Sequence, residues 1–413
     1  MKTVNTIEQH LYMEDVCKRR ELIFMESLWS QTVEIPKREA LRGNLTVHTA
    51  VIGAGMSGLL TAYFLKKQGI DVAVLEADQI AGGQTKNTTA KITGQHGLFY
   101  ERLINKAGKE RAKSYVWAQK AAIKAYENII KDENIECHFK ILPSYLYTAD
   151  ETRILKLEKE AKAANMLGME AKLAGKEETA ELPFQIAGAL CFPNQAQFHP
   201  LEFVKYISKN LPIYENTRVL SVKGHTLFTD KGNVIAENIV FATHYPFVNV
   251  PGFYFARQHQ DRSYVLALAG QKELSGMYYS IDQYGYSLRS AGSVLLFGGG
   301  AHRTGKMMQS GMDCEKEGYF YIRKAADRYY PKSKEVAHWS AQDCMPHDDI
   351  PFIGKYSVFR PYWYVATGFK KWGMTSSMLA AMIISDAICG RENEYAKVFK
   401  PQRFLFRASV KIC

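Results

Sequence analysis

The chain has 413 residues, 46% hydrophobic and 23% charged, and its Lys and Arg exceed its Asp and Glu by 53 − 42 = +11. That composition excludes a disordered, collagen-like or membrane-embedded protein and predicts two or three domains at roughly 150 residues each. The basic excess favours anionic partners without choosing among nucleotide, acidic metabolite, nucleic acid and lipid surface.

Residues 1–46 read as an N-terminal extension, with a charged, helix-compatible start from Ile7 to Arg20. It carries Glu8, Glu14 and Asp15 and lacks the apolar core of a leader peptide. His48–Ile52 then predicts a short strand, Leu59–Gln68 a helix closed by Gly69, and Ile70–Leu75 a second strand. The turn between first strand and helix is Gly53-Ala54-Gly55-Met56-Ser57-Gly58, a G-x-G-x-x-G in a β-α-β unit of about 30 residues. Gly53 permits the tight turn, Gly55 the approach of a pyrophosphate, and Gly58 close helix–strand packing. Met56 and Ser57 are candidate cofactor contacts at the turn before the helix, whose N-terminal N–H groups favour phosphate. Glu76, followed by Ala77, ends the second strand where a carboxylate can accept from a ribose hydroxyl pair, which disfavours a 2′-phosphate and so NADP.

Regular β-α-β repeats do not continue. A glycine-rich polar loop follows, with Gly83, Thr85, Thr89 and Ala90 as candidate cofactor contacts. Apolar positions at helical spacing (Val116, Ala122, Tyr126 and Ile130) predict one amphipathic helix over 101–131 with a solvated basic face. Thr217–Leu220, including Val219, is a short segment suited to lie beside an adenine, and Asn238–Thr243, including Ala242 and Thr243, is a buried strand. Met277–Gly298 predicts an antiparallel meander. Tyr362–Gly368 reads as a strand leading through Phe369–Met374 into an apolar helix, Thr375–Cys389. Its most apolar run, Met378–Ile384, is far short of the ~20 residues of a membrane span.

These segments, in this order, resemble the D-amino-acid oxidase and glycine oxidase-like FAD-dependent oxidoreductases over about residues 45–395. Thr89–Gly97, Asn194–Pro200, Phe297–Gly305 and Trp339–Cys344 resemble one subgroup, in which a C-terminal Rieske [2Fe–2S] domain commonly follows. The C-x-H and C-x-x-H pairs of such a centre do not occur after Pro401. The expectation is therefore either a subgroup member without the cluster or a shortened one, with its electron outlet unassigned. The seven cysteines (17, 137, 191, 314, 344, 389 and 413) include no C-x-x-C, the pattern of reduced thiols in a cytoplasmic protein, and no metal cluster is expected.

The resemblance implies an α/β fold: a Rossmann-like FAD-binding domain, discontinuous in sequence, with an α+β substrate domain on a mixed or antiparallel sheet. The expected limits are 47–100, 190–250 and 340–395 for the FAD domain, 101–189 and 251–339 for the substrate or cap domain, and 396–413 for a tail. It implies FAD as cofactor and places Gly368, Trp372, Gly373, Met374 and Thr375 at a turn whose amides face the flavin. Lys371, or Lys370, is a candidate charge at that turn, read on equal terms as a surface lysine pair.

The implied reaction is oxidation of a C–N bond in an amino acid or amine by hydride transfer to flavin N5. For a substrate carboxylate, Arg289 is the first candidate clamp and Arg303 the second. Tyr264 and Tyr286 are candidate walls, and His199 and His302 candidate proton acceptors. Asp349 is read as supporting, and Cys344 as a buried residue rather than a covalent flavin link. Three alternatives stand beside this reading: a dehydrogenase with a protein or quinone acceptor, an FAD-dependent RNA-modifying enzyme, and a non-catalytic FAD-binding partner. The expected partners are a small-molecule substrate and an electron-acceptor protein, not nucleic acid.

Overall fold

The computed structural model describes residues 26–305 and 314–403. The expected helical start Ile7–Arg20 and the end of the tail lie outside the described residues. The chain opens with a short helix, α1 (Leu28–Thr32), then β1 (Leu45–Ile52), α2 (Met56–Lys67) and β2 (Val72–Leu75). It crosses through β3 (Lys91–Ile92) to α3 (Tyr100–Ala107), α4 (Lys109–Asp132), β4 (Lys140–Thr148), α5 (Ile154–Leu167), β5 (Lys172–Ala174) and β6 (Gly188–Gln197). After α6 (Pro200–Ile207) come β7 (Ile213–Tyr214), β8 (Val219–Lys223), β9 (Thr226–Thr229) and β10 (Asn233–Phe241). A second excursion follows with β11 (Gln258–Ala269), β12 (Met277–Ser280), β13 (Ser287–Ala291), β14 (Val294–Arg303), α7 (Cys314–Tyr329) and β15 (Lys334–Pro346). The chain then returns through β16 (Phe352–Ser357), β17 (Arg360–Thr367) and α8 (Gly373–Ile388).

The strands form two sheets. The first has the order β16-β17-β10-β1-β2-β7, with the β8–β9 ribbon attached to β10. Its central pairs are parallel, Val51 lying between Val240 and Val74. Parallel strands buried on both faces read as continuous apolar runs, which is why Ala50–Ile52 and Val72–Leu75 show no polar alternation. The pleat still sorts them. Val51, Val74 and Val240 pack with α2 and α8, whereas Ile52, Leu75 and Phe241 pack with Val222, Leu227 and Tyr254 on the opposite face. Each fully buried side chain of this kind contributes roughly 1.5–3 kcal/mol relative to exposure.

The second sheet runs β15-β11-β14-β13-β12-β4-β6-β3, with β5 on β6. It is mixed: β12 and β4 are parallel, and the predicted meander β12–β13–β14 is antiparallel. The α7 helix crosses it at Gly318, where a Cβ would fall 2.0 Å from the Tyr264 ring.

One predicted element is corrected. The single helix expected over 101–131 is two, because Gly108 sits at φ +83° and ends α3 before α4 begins. Its anchors hold: Val116, Ala122 and Tyr126 are buried.

Candidate active site

A cavity of about 750 Å³ is lined from both sheets. Its nucleotide end is built by the turn after β1. Gly53 lies at φ +105°, and a Cβ on Gly58 would stand 2.0 Å from the Gly53 carbonyl oxygen, so glycine is obligatory there. The Glu76 carboxylate locks this turn from β2, accepting from Ala54 N–H at 2.7 Å and from Asp78 N–H at 3.0 Å. Thr85 Oγ1 accepts from Met56 N–H at 2.9 Å. The buried Ser57 hydroxyl lines the cavity with no protein partner. An orphaned hydroxyl at an open helix N-terminus, beside a glycine cradle, fits the phosphates of a dinucleotide.

The loop 87–90 is held by side chains that reach its carbonyls. Trp339 Nε1 donates to Asn87 O at 3.0 Å and Trp29 Nε1 to Thr88 O at 2.7 Å. Arg289 donates to Thr89 O at 2.9 Å and Ala90 O at 3.0 Å. Two strands, β13 and β15, and the helix α1 thus hold this loop through side chains rather than a ladder.

At the other end the N-terminus of α8 opens onto the cavity through Gly373 and Met374, with no side-chain cap. Trp372 precedes it, stacked on His96 at 4.9 Å and edge-on to Tyr279 at 5.3 Å. His96 accepts from Tyr115 OH at Nδ1 (2.7 Å) and donates from Nε2 to Thr93 O (2.9 Å). Burial pushes its pKa down to about 3, so it is a neutral platform for the indole. Lys371 pairs with Asp343 at 3.0 Å. Burial opposes its charge, but Asp343 and Tyr279 outweigh burial and hold its pKa above the usual lysine value. Lys370 also lines the cavity and is tied to Asp349, which gathers Arg102 and Lys106 as well.

Most of the predicted cofactor residues come together here. Gly53, Gly55, Met56, Ser57, Glu76, Ala77, Gly83, Thr85, Thr89, Val219, Ala242, Thr243, Trp372, Gly373 and Met374 line the cavity. Gly58, Ala90, Gly368 and Thr375 stand behind that lining: Gly368 packs on Pro346, and Thr375 Oγ1 donates to Thr93 O at 3.2 Å.

Three of the predicted catalytic residues are placed otherwise. Arg289 is buried and outside the cavity lining, its Nη1 donating to the Thr89, Ala90 and Phe198 carbonyls and its Nε to the Ser290 carbonyl. His199 caps α6, accepting from Glu202 N–H at 3.3 Å, while Nε2 meets Thr32 Oγ1 at 2.9 Å. Burial pushes its pKa down to about 4. His302 lies outside the lining, stacked on Tyr264 at 5.8 Å. Only Lys371 of the four borders the cavity. Cys344 is buried, and burial pushes its thiol up to about 12, as for an unreactive side chain.

Sequence reasoning missed Lys91, Tyr279 and Asp343. The available signal was a lysine inside the small, apolar run Thr89-Ala90-Lys91-Ile92, where a charge has no solvent to meet.

A glycine-turn nucleotide site on one sheet, roofed by a second sheet and closed by the N-terminus of a late helix, defines a two-sheet dinucleotide-dependent oxidoreductase. The sequence model of the FAD dependent oxidoreductase (DAO) family matches residues 48–387, and the chain belongs to that family. It is an FAD-dependent oxidoreductase, and its cavity fits the cofactor. A Bacillus subtilis (strain 168) protein named for a Rieske 2Fe-2S centre, YhfW, is 36% identical over 395 residues, covering 92% of this chain and 76% of that protein. The fold is shared with L-proline dehydrogenase from P. horikoshii (TM-score 0.73, 17% identity, 88% of this chain and 98% of that one). Glycine oxidase from Geobacillus kaustophilus is similar too (TM-score 0.71, 18% identity, 87% and 99%). Among the described residues no helix is long and apolar enough to cross a membrane, and no His, Cys, Asp and Glu cluster is arranged to hold a metal.

Proposed function

We propose that the protein oxidises the C–N bond of an amino acid or amine. The observation that carries this reading is the compartment lined together by Tyr279 and Ser287 of the second sheet, by Tyr286 just before β13, and by Trp372 and the N-terminus of α8. Such an arrangement holds a small substrate between an aromatic wall and the flavin end of the site. Bound FAD supplies the hydride acceptor, which is the chemistry side chains lack. The protein's part is to orient the substrate, keep its nitrogen unprotonated and favour negative charge near α8. The first-turn amides of α8 and the ammonium of Lys371 serve that last task.

In this reading the segments 47–100, 190–250 and 340–395 make the FAD-binding unit and 101–189 and 251–339 the cap. β3, most of β6 and the second half of β15 belong to the FAD-unit segments but pair in the second sheet, and so tie the two units together. The nucleotide contacts assigned to Gly55, Ser57, Glu76 and Val219 belong to the same proposal. The solved structures similar in fold, named for proline dehydrogenase and glycine oxidase, support the substrate class. A second reading concerns the electron outlet: the Rieske name of YhfW supports transfer to a [2Fe–2S] protein rather than to O₂.

Anaerobic mixing of the FAD-loaded protein with amino acids and secondary amines tests the reaction. Loss of the oxidised flavin absorbance with at least one of them is expected. An unchanged spectrum across the whole set would overturn the assignment.

A further inference from the structure

Lys91 is a lysine where lysines are rarely found. It is buried, lies on the two-residue strand β3, and lines the cavity together with Tyr279, Ser287 and Trp372. Its Nζ is 3.0 Å from the Tyr278 carbonyl oxygen and 2.5 Å from Ser287 Oγ. Both partners are neutral, and among the described residues no carboxylate lies within ion-pair distance of it. An ammonium has three donors and would leave one without a described partner. A neutral amine has two donors and one lone pair, so the two partners satisfy both donors and leave the lone pair for whatever occupies the cavity.

The surrounding charges agree. From β13, Arg289 opposes a second positive charge, and the distant Glu273 acts on Arg289 rather than on Lys91. From the loop before α8, Lys371 is matched by Asp343 and Lys370 by Asp349. From β12 and the turn after it come Tyr279 and Asp282, the latter holding Thr148 Oγ1 and Ala149 N–H. From β6, Gln197 is engaged with Ser290 O. Burial first, and Arg289 second, push the Lys91 pKa down to about 7.

We propose that Lys91 is the base of the amine half-reaction, its neutral Nζ taking a proton from the substrate ammonium before hydride leaves the neighbouring carbon. The inference rests on the C–N oxidation proposed above. One N–H bond of the substrate breaks and one N–H bond forms on Lys91. The electron pair left on the substrate nitrogen becomes the C=N π bond as the C–H pair departs as hydride to FAD, the oxidant. The proton then leaves Lys91 for solvent between turnovers. Lys91 cannot be replaced in this role by arginine, which stays protonated at all accessible pH.

The test compares wild type, Lys91→Met and Lys91→Arg, each checked for bound FAD by its visible spectrum. In wild type the rate of anaerobic flavin reduction at saturating amine should climb about tenfold per pH unit below pH 7 and level off above it. Both variants should retain FAD and reduce it at least 100-fold more slowly at pH 7.5. Lys91→Arg at wild-type rate would show that a fixed charge suffices and would overturn the proposal, as would a wild-type pH profile in Lys91→Met. Failure of wild type itself with every amine would instead remove the underlying reaction, not the basicity of Lys91. That basicity has its own readout: in protein carrying ¹³Cε-lysine, the resonance missing from Lys91→Arg should titrate near pH 7. A midpoint near the ordinary lysine value would overturn the proposal.

Discussion

The two ends of the cavity are built by different means. At the nucleotide end the work is done by backbone: a turn of three glycines, helix N–H groups and one carboxylate that clamps the turn. At the substrate end it is done by side chains that arrive from β3, β12, β13, β15 and the loop before α8. The first construction is local, and its parts lie within about 30 residues. The second exists only after the second sheet has closed. A dinucleotide does not change with the substrate, so a fixed backbone cradle suffices, whereas a substrate compartment is varied through side chains on a constant scaffold.

The largest expected effect falls on the backbone end. Gly58→Ala puts a methyl group against the Gly53 carbonyl, which cannot yield without opening the turn. The purified variant should carry no flavin; stoichiometric FAD in it would show the cradle to be more forgiving than its geometry. At the side-chain end, Asp343→Asn strips Lys371 of its partner and leaves a half-buried cation. A loss of about 3 kcal/mol is expected, the lower part of the range for a broken buried pair because some solvent reaches it, and denaturant unfolding measures it. Unchanged stability would mean that the pair is solvated.

Glu76→Gln is milder and returns to the nucleotide end. It keeps one acceptor but loses the charge that strengthens the bonds from Ala54 and Asp78. FAD binding should weaken by about 10-fold to 100-fold, in line with the 1.5–3 kcal/mol of a charge-assisted hydrogen bond. Equal FAD affinity by fluorescence titration would mean that the charge is not used.

The last effect lies outside both ends. His199 has its pKa pushed down to about 4, whereas an unfolded histidine titrates near 6.5. Between these values the unfolded state binds the extra proton, so the stability contributed by neutral His199 is complete above pH 6.5 and is lost as pH falls toward 4. His199→Asn retains a capping side chain and should flatten the dependence of Tm on pH in that window. An unaltered slope would place the titration elsewhere.

The same contrast explains what could be read from the sequence. Gly53, Gly55, Gly58 and Glu76 announce themselves by spacing, because each serves a turn made of neighbouring residues. Trp372 to Met374 were legible through the strand and apolar helix on either side. Lys91, Tyr279 and Asp343 were not, since no local pattern reports that β3, β12 and β15 meet around one space. Arg289 and His199 stand away from the cavity lining for a related reason. A polar residue in an apolar segment marks a buried polar need, and here the need was structural: the open carbonyls of residues 89–90 and the open end of α6. Gly108 was visible in the sequence, but only its left-handed conformation shows that it ends a helix.

The most direct measurement is a single-turnover experiment without oxygen: FAD-loaded protein is mixed with an amine that bleaches it, and the carbonyl product and released amine are counted. C–N oxidation predicts one carbonyl compound and one ammonia or primary amine for each flavin reduced. Reduced flavin with no such product, or no reduction by any amine or amino acid, would contradict it.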